Sequence, residues 1–551
     1  MILQINKMFR IIQVIRLLKI FFYNFYVNKT VQKYINFNQI RWQSEKVNRK
    51  SKKDVILIDL FDWGPWIHFW SYVVNFLSKG FKSDIKYYYF DLYGKFYGNK
   101  NYYTRRIRKI FHSFNANKGI LESDLVVSKQ VETLIKKKFD SLKFSKAKLI
   151  NLNFEGINIG TLIYDTYLRS KYTPTVDMHD EYLRMIFRKA FVIHFNLKKY
   201  FNENNVRCVI PSHLCYITYG IIVKMAHNRN IPVIMINSKN AGTNLFHLIK
   251  VNKKINVCEN EYWKYSSIFQ KFNEHKKKES LIKGKEILNK RISGQFDSNI
   301  PYMRVNQFSK KISKVKNKIS KKRGKIFLFP HCYFDNPHRY RWMIFSDFYE
   351  QTKYFLDLSN KMTEYDWFYK PHPNELKAKI DLHKELLKDY PHVTLLDNNM
   401  GHRDVINSKP TCVITNHGTI AHEFAAFKIP VINTGDNPHT NYDFCINAKN
   451  IKNLDNIMKN LDKFTKKINF NKNKLYEFYY LHYEHFLQLN KRKELISDEY
   501  FSPPKFDVRK NMTVKEITEI FLNYYLKVGR KNDKKIETYL RIFSKKNRLF
   551  N

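Results

Sequence analysis

Val413-Ile414-Thr415-Asn416-His417-Gly418-Thr419-Ile420-Ala421-His422-Glu423 runs from an apolar β-forming segment through a polar turn into a helical pattern. It predicts a buried strand over 412–415, a short loop, and a helix over 419–427. A second stretch, Lys370-Pro371-His372-Pro373-Asn374-Glu375, follows an apolar segment over 366–369 and holds a lysine and a histidine in a proline-bounded turn. Repeated strand, loop and helix predict a parallel sheet, and such sheets bind ligands outside the carboxyl ends of their strands. A helix start also offers unpaired N–H groups and the positive end of its dipole. The two loops together predict a pocket for a diphosphate or a phosphodiester.

Strand-like segments over 326–329, 393–396 and 431–433, with a helix over 347–361, complete an α/β series around these loops. A similar series precedes it. Val55-Ile56-Leu57-Ile58-Asp59-Leu60 is a short apolar run of the kind buried in parallel sheets. Segments over 85–90, 206–210 and 233–236, with a helix reaching about residue 228, give a βαβ unit. The predicted fold class is α/β: two doubly wound Rossmann-like domains facing a cleft. The expected divisions are a basic amphipathic extension over 1–49, a first domain over 50–265, and a basic helical linker over 266–322. A second domain over 323–470 and a helical extension over 471–551 follow. The linker reads as polar and Lys-rich, outside any core.

With 551 residues the chain is long enough for two or three cores, and 44% hydrophobic and 16% aromatic residues exclude a disordered protein. The net charge of +49 suits an anionic membrane surface or a nucleic acid, while AT-rich codons also favour Lys, Asn, Ile, Tyr and Phe. The six cysteines, Cys208, Cys215, Cys258, Cys332, Cys412 and Cys445, show no CxxC spacing, so neither a disulfide framework nor a zinc site is expected. No apolar run reaches the roughly 18 residues of a membrane span. Met8 to Tyr26 reads as a basic amphipathic helix, to be placed either on a membrane surface or on the protein's own body.

The pairing of Lys370-Pro371-His372-Pro373 with Asn416-His417-Gly418-Thr419, Glu423-Phe424-Ala425 and Ile429-Pro430-Val431-Ile432 resembles the C-terminal domain of GT-B glycosyltransferases of bacterial surface carbohydrates. In pattern it is similar to capsule polysaccharide biosynthesis proteins, and the His-Pro element resembles that of sialyltransferases and Kdo transferases. The resemblance is strongest over 327–433. It implies a metal-independent transferase moving a sugar from a nucleotide donor, with a CMP-sugar favoured, to a capsule, lipopolysaccharide or other surface glycan. It implies no cofactor, since the nucleotide-sugar is a substrate, and His372 as a phosphate contact.

Lys370 is a further side-chain donor, with backbone amides near Gly418 and Thr419. Asn416 and His417 complete that loop; Asn416 also reads as a plain helix cap. Glu423 lies one turn further on, facing either ribose hydroxyls or solvent. The loop after the first strand of this domain brings His331 and Asp335 to the donor and Arg339 to phosphate. Two histidines and one aspartate there also suggest a metal, but no further ligand lies at convincing spacing. Candidate bases for an acceptor hydroxyl are Asp62, Glu155, Asp165 and His213, near strand ends in the first domain. Asp62 sits beside Trp63 and Trp66, residue types that stack on sugars. The expected partners are the donor, a glycan or glycolipid acceptor and the inner-membrane surface, with no specific nucleic acid. The expected setting is cytoplasmic, at the inner face of the plasma membrane. A CDP-glycerol-type glycerophosphotransferase, a non-catalytic relative and a nucleic-acid-binding protein are the alternatives.

Overall fold

Asp54–Asp59 (β1) is buried along its whole length, as in a strand covered on both faces by helices. In the computed structural model, which describes residues 29–42, 53–91, 105–237, 247–254, 261–294, 306–309, 323–372, 380–398, 400–485, 514–531 and 533–550, β1 is central to a parallel sheet. Its partners are Asp84–Tyr89 (β2) on one side, followed by Asn117–Leu121 (β3), and Asn205–Ile210 (β4) on the other. The strand order therefore reverses between β1 and β4. The segment expected as a further strand over 233–236 meets β4 through one parallel bridge, Val209 to Val233. Ile234–Asn237 then pairs antiparallel with His247–Lys250.

The second sheet is six-stranded and parallel. Gly324–Leu328 (β5), Tyr365–Tyr369 (β6), Val393–Leu395 (β7), Cys412–Thr415 (β8), Val431–Asn433 (β9) and Ile446–Asn447 (β10) lie in the spatial order β7-β6-β5-β8-β9-β10. This is the doubly wound order, and its reversal point falls between β5 and β8. The mixed α/β class with two parallel sheets is the class expected. Strands β3 and β10 escaped the sequence reading because Asn117–Leu121 is largely polar and Ile446–Asn447 is only two residues long.

The helices bind the two halves of the chain together. Lys29–Trp42 (α1) and Gly64–Phe81 (α2) pack against Val514–Val528 (α3), so the end of the chain returns to the first sheet. Thr518 Oγ1 accepts from the Gly64 amide at 3.1 Å, and Tyr525 stacks on His68 with centroids 4.2 Å apart. The amphipathic helix expected over residues 8–26 lies outside the described residues.

The Lys-rich segment read as a linker corrects that reading. Its helix Glu274–Ile292 buries Ser280, Gly284, Leu288 and Arg291. It packs on the helix Lys472–Tyr480 in the core of the second half. Lysines on one face masked a buried stripe of small and apolar residues. A Cβ on Gly284 would stand 2.0 Å from the Tyr476 carbonyl oxygen. Gly284→Ala is therefore expected to lower stability by about 1–3 kcal/mol, through overpacking. An unchanged unfolding midpoint would show that the two helices separate freely.

Candidate active site

Three loops leave the carboxyl ends of β5, β6 and β8, and each brings a histidine to one place. His331 stacks on Phe348 at 4.6 Å and on His372 at 5.2 Å, and His417 stands edge-on to His331 at 6.0 Å. Tyr340 packs against His417 at 4.8 Å. Burial pushes the His372 ring down to about 3, helped by the charges of His331 and Lys370. Burial also holds His417 well below the usual imidazole range. His417 Nε2 lies 3.3 Å from Asn416 Nδ2 and 3.4 Å from the Pro337 carbonyl oxygen, and burial favours the neutral form of both rings. Burial opposes the charge of Asp335, but His331, Arg339 and Arg169 together hold its carboxyl below the ordinary value. Among the described residues no group of three His, Cys, Asp or Glu side chains could hold a metal ion.

The loop after β8 departs from the expected helix cap. Asn416 is fully buried, and its Oδ1 accepts from Thr434 Oγ1 at 3.2 Å. Thr419 starts a helix of only six residues, Ile420–Ala425. Gly418 folds back on its own strand, where a Cβ would stand 2.5 Å from Thr415 Oγ1.

The first half supplies the opposite wall. Helix Gly160–Lys171 carries Tyr164, Asp165 and Arg169. Asp165 meets His338 Nδ1 at 2.6 Å, and burial pushes its carboxyl up although His338 opposes the shift. Asp347 accepts from Tyr164 at 2.5 Å and from Thr175 at 2.6 Å while it caps the helix Phe348–Ser359. Arg169 is close enough for its charge to act on both Asp335 and His213. Helix Gly160–Lys171 of the first half thus meets the segment that follows β5 through Asp165, Tyr164 and Arg169.

At the reversal point of the first sheet, Asp59 ends β1 and Ser212 and His213 follow β4. Ser212 Oγ makes a short hydrogen bond with Asp59 Oδ2 and lies 2.9 Å from His213 Nδ1. Burial lifts the Asp59 carboxyl to about 7, although Ser212 opposes this, and pushes His213 down to about 4. Phe61, Tyr219 and Trp66 surround the His213 ring at 5.2, 5.0 and 6.4 Å. Tyr216 follows the turn at Leu214-Cys215 and begins the helix Tyr216–Asn228. Its φ of 64° is a conformation costly for a bulky side chain.

Four expected site residues have other partners. Asp62 pairs with Arg106 in a short contact and accepts from Thr518 Oγ1 at 3.3 Å. Glu155 sits in a hairpin turn and meets His194 at 3.0 Å and Lys198 at 2.7 Å. Lys370 is 1% exposed, and its Nζ donates to the Asn398 carbonyl at 3.1 Å. Glu423 is corrected most plainly. It is 1% exposed and ion-paired with Arg291, with His402 Nδ1 3.1 Å from its other oxygen, so it faces neither ribose nor solvent. Asp59, Ser212 and Arg169 were not among the expected site residues, and His338, weighed there only as a metal ligand, pairs instead with Asp165. A carboxylate ending an otherwise apolar strand was the one available signal, at Asp59.

No family model matches the chain, and no curated protein matches it. Among solved structures it is similar to Thermosulfurimonas dismutans KpsC, a beta Kdo 2,4 transferase, at 9% identity and TM-score 0.30, covering 50% of this chain and 79% of that one. It is also similar to Methanocaldococcus jannaschii UDP-GlcNAc 2-epimerase in complex with UDP-GlcNAc and UDP, at 10% identity and TM-score 0.23, covering 77% and 97%. S. aureus MnaA with UDP is 11% identical, with TM-score 0.23 and coverage of 80% and 94%. Likeness of this degree leaves the functional reading to the chain's own residues. No helix among the described residues is long and apolar enough to cross a membrane.

Proposed function

We propose that this chain is a metal-independent glycosyltransferase that moves a sugar from a nucleotide donor to a surface-glycan acceptor. The observation that carries this reading is the convergence of His331, His372 and His417 from three strand ends at the reversal point of the second sheet. Asp335 and Arg339 lie on the same rim. Imidazoles and a guanidinium suit a leaving phosphate, because they stabilise charge that grows as the glycosidic bond breaks. The CMP-linked acidic sugar rests on the His-Pro resemblance. A capsule or lipopolysaccharide acceptor, and work at the inner membrane face, agree with the net charge of +49.

Calorimetry and thermal shift with CMP, CDP, UDP and GDP test the reading, using His372→Ala and Arg339→Ala as controls. A ligand bound by the folded state raises its stability. CMP is expected to bind without added divalent cation, and each variant to weaken it by roughly tenfold or more, the loss of a charge-assisted contact. Preference for UDP or GDP would remove the CMP assignment alone. Turnover of CDP-glycerol would make the chain a glycerophosphotransferase. A folded protein that binds none of the four would remove the reading.

A further inference from the structure

We propose that Asp59, Ser212 and His213 form a proton relay in which His213 Nε2 takes the proton of the acceptor hydroxyl and Asp59 stores its equivalent. The inference rests on the transferase reading and extends it to the acceptor side. The three groups are in line: Asp59 Oδ2 contacts Ser212 Oγ, and Ser212 Oγ lies 2.9 Å from His213 Nδ1. Asp59 and Ser212 are buried, at 2% and 0% exposure, so no bulk water competes along the chain. His213 is half-buried, and its Nε2 has no hydrogen-bond partner among the described residues. It stands beside Phe61 and Trp66, rings of the kind that hold a sugar.

The hydroxyl of Ser212 carries one proton, so the protonation of Asp59 sets the tautomer of His213. With Asp59 ionised, Ser212 donates to the carboxylate and accepts from Nδ1–H, which leaves the Nε2 lone pair open. During transfer the acceptor proton moves to Nε2, the Nδ1 proton moves to Ser212, and the Ser212 proton moves to Asp59. The acceptor oxygen bonds to the anomeric carbon, and the donor's carbon–oxygen bond breaks with its electron pair leaving on phosphate. The imidazole ends neutral in its other tautomer. This matters because burial and the Arg169 charge disfavour an imidazolium at His213, whereas burial of Asp59, beside Tyr88, favours its neutral acid. After product release the reverse relay returns the proton to water through Nε2. His213 is the catalytic residue of this proposal; Ser212 and Asp59 are relay and positioning residues.

Long-range ¹H–¹⁵N spectra of the native full chain labelled at histidine, with His213 assigned through His213→Gln, test the relay directly. Between about pH 6 and about pH 8.5, a window that brackets the Asp59 carboxyl, which burial lifts to about 7, the His213 proton should shift from Nε2 to Nδ1 as pH rises. Asp59→Asn should hold it on Nε2. With the donor found by nucleotide screening, Ser212→Ala and Asp59→Asn should lower kcat about 100-fold or more, with donor KM unchanged. Ser212→Thr, which keeps the hydroxyl, should retain most of the rate. One tautomer across the whole range in the native protein, or native kcat in both relay variants, would overturn the proposal. A tautomer shift in a protein that transfers no sugar from any nucleotide donor would keep the relay and remove the transferase reading.

Discussion

Arg291→Met is expected to destabilise the protein by about 3–5 kcal/mol, because it strands a buried carboxylate. Arg291 and Glu423 are 2% and 1% exposed. The Arg291 Nε donates to Glu423 Oε1 at 2.6 Å, and a second guanidinium nitrogen makes a short contact with the same oxygen. Burial alone would raise the Glu423 carboxyl, yet Arg291 and His402 hold it well below the usual range. Glu423 lies on the short helix after the Asn416 to Thr419 loop, so its loss of a partner should also weaken the nucleotide binding proposed above. The double variant Arg291→Met, Glu423→Gln removes the stranded charge and should recover much of the loss. Urea unfolding of the three proteins measures this. A cost below about 1 kcal/mol for the single variant, the range of an exposed pair, would mean that water reaches Glu423.

Stability is expected to fall as pH drops below about 6.5, the unfolded imidazole value, with a lower Tm at pH 5 than at pH 7.5. His68 and His439 are 1% and 2% exposed. Burial pushes both down to about 3, with the Arg41 charge adding to the shift at His68. Their folded values lie below their unfolded ones, so the unfolded chain binds more protons in between. Each then costs about 2 kcal/mol at pH 5, from 1.36 kcal/mol per pH unit below 6.5. His422, His417, His402 and His194 shift in the same direction. Asp59, raised by burial to about 7, works oppositely: its folded form is protonated first, so it adds stability as pH falls through 7. Asp165, Asp347 and Glu477 act in that same opposing sense. The histidines outnumber them. Thermal scans at constant ionic strength check the balance, and a Tm that stays level or rises toward pH 5 would show that the acids prevail.

The strands that were legible were those with continuous apolar runs. Cys412–Thr415 and Val431–Asn433 have the bounds read from sequence, because burial on both faces of a parallel sheet demands β-branched and apolar residues throughout. The same logic placed His331, His372 and His417 at strand ends. Glu274–Ile292 was misread because Lys stems and heads occupy the face that gives the segment its composition, while Gly284 and Arg291 on the other face are buried. Glu423 looked like an exposed helix residue because its partner, Arg291, is 132 positions away in sequence.

The amino-acid sequence by itself determined the α/β class, the two series of parallel strands and the loops that carry histidines, since these follow from local hydrophobic period and turn chemistry. The tertiary structure alone decided which charged groups pair and which polar groups line up at the strand ends. Asp62, Glu155 and Glu423 meet cations brought from distant segments, whereas Asp59, Ser212 and His213 are aligned only because β1 and β4 are neighbours in the sheet. Electrostatic partners are chosen by proximity in space, and proximity between distant segments is set by packing that no local pattern records.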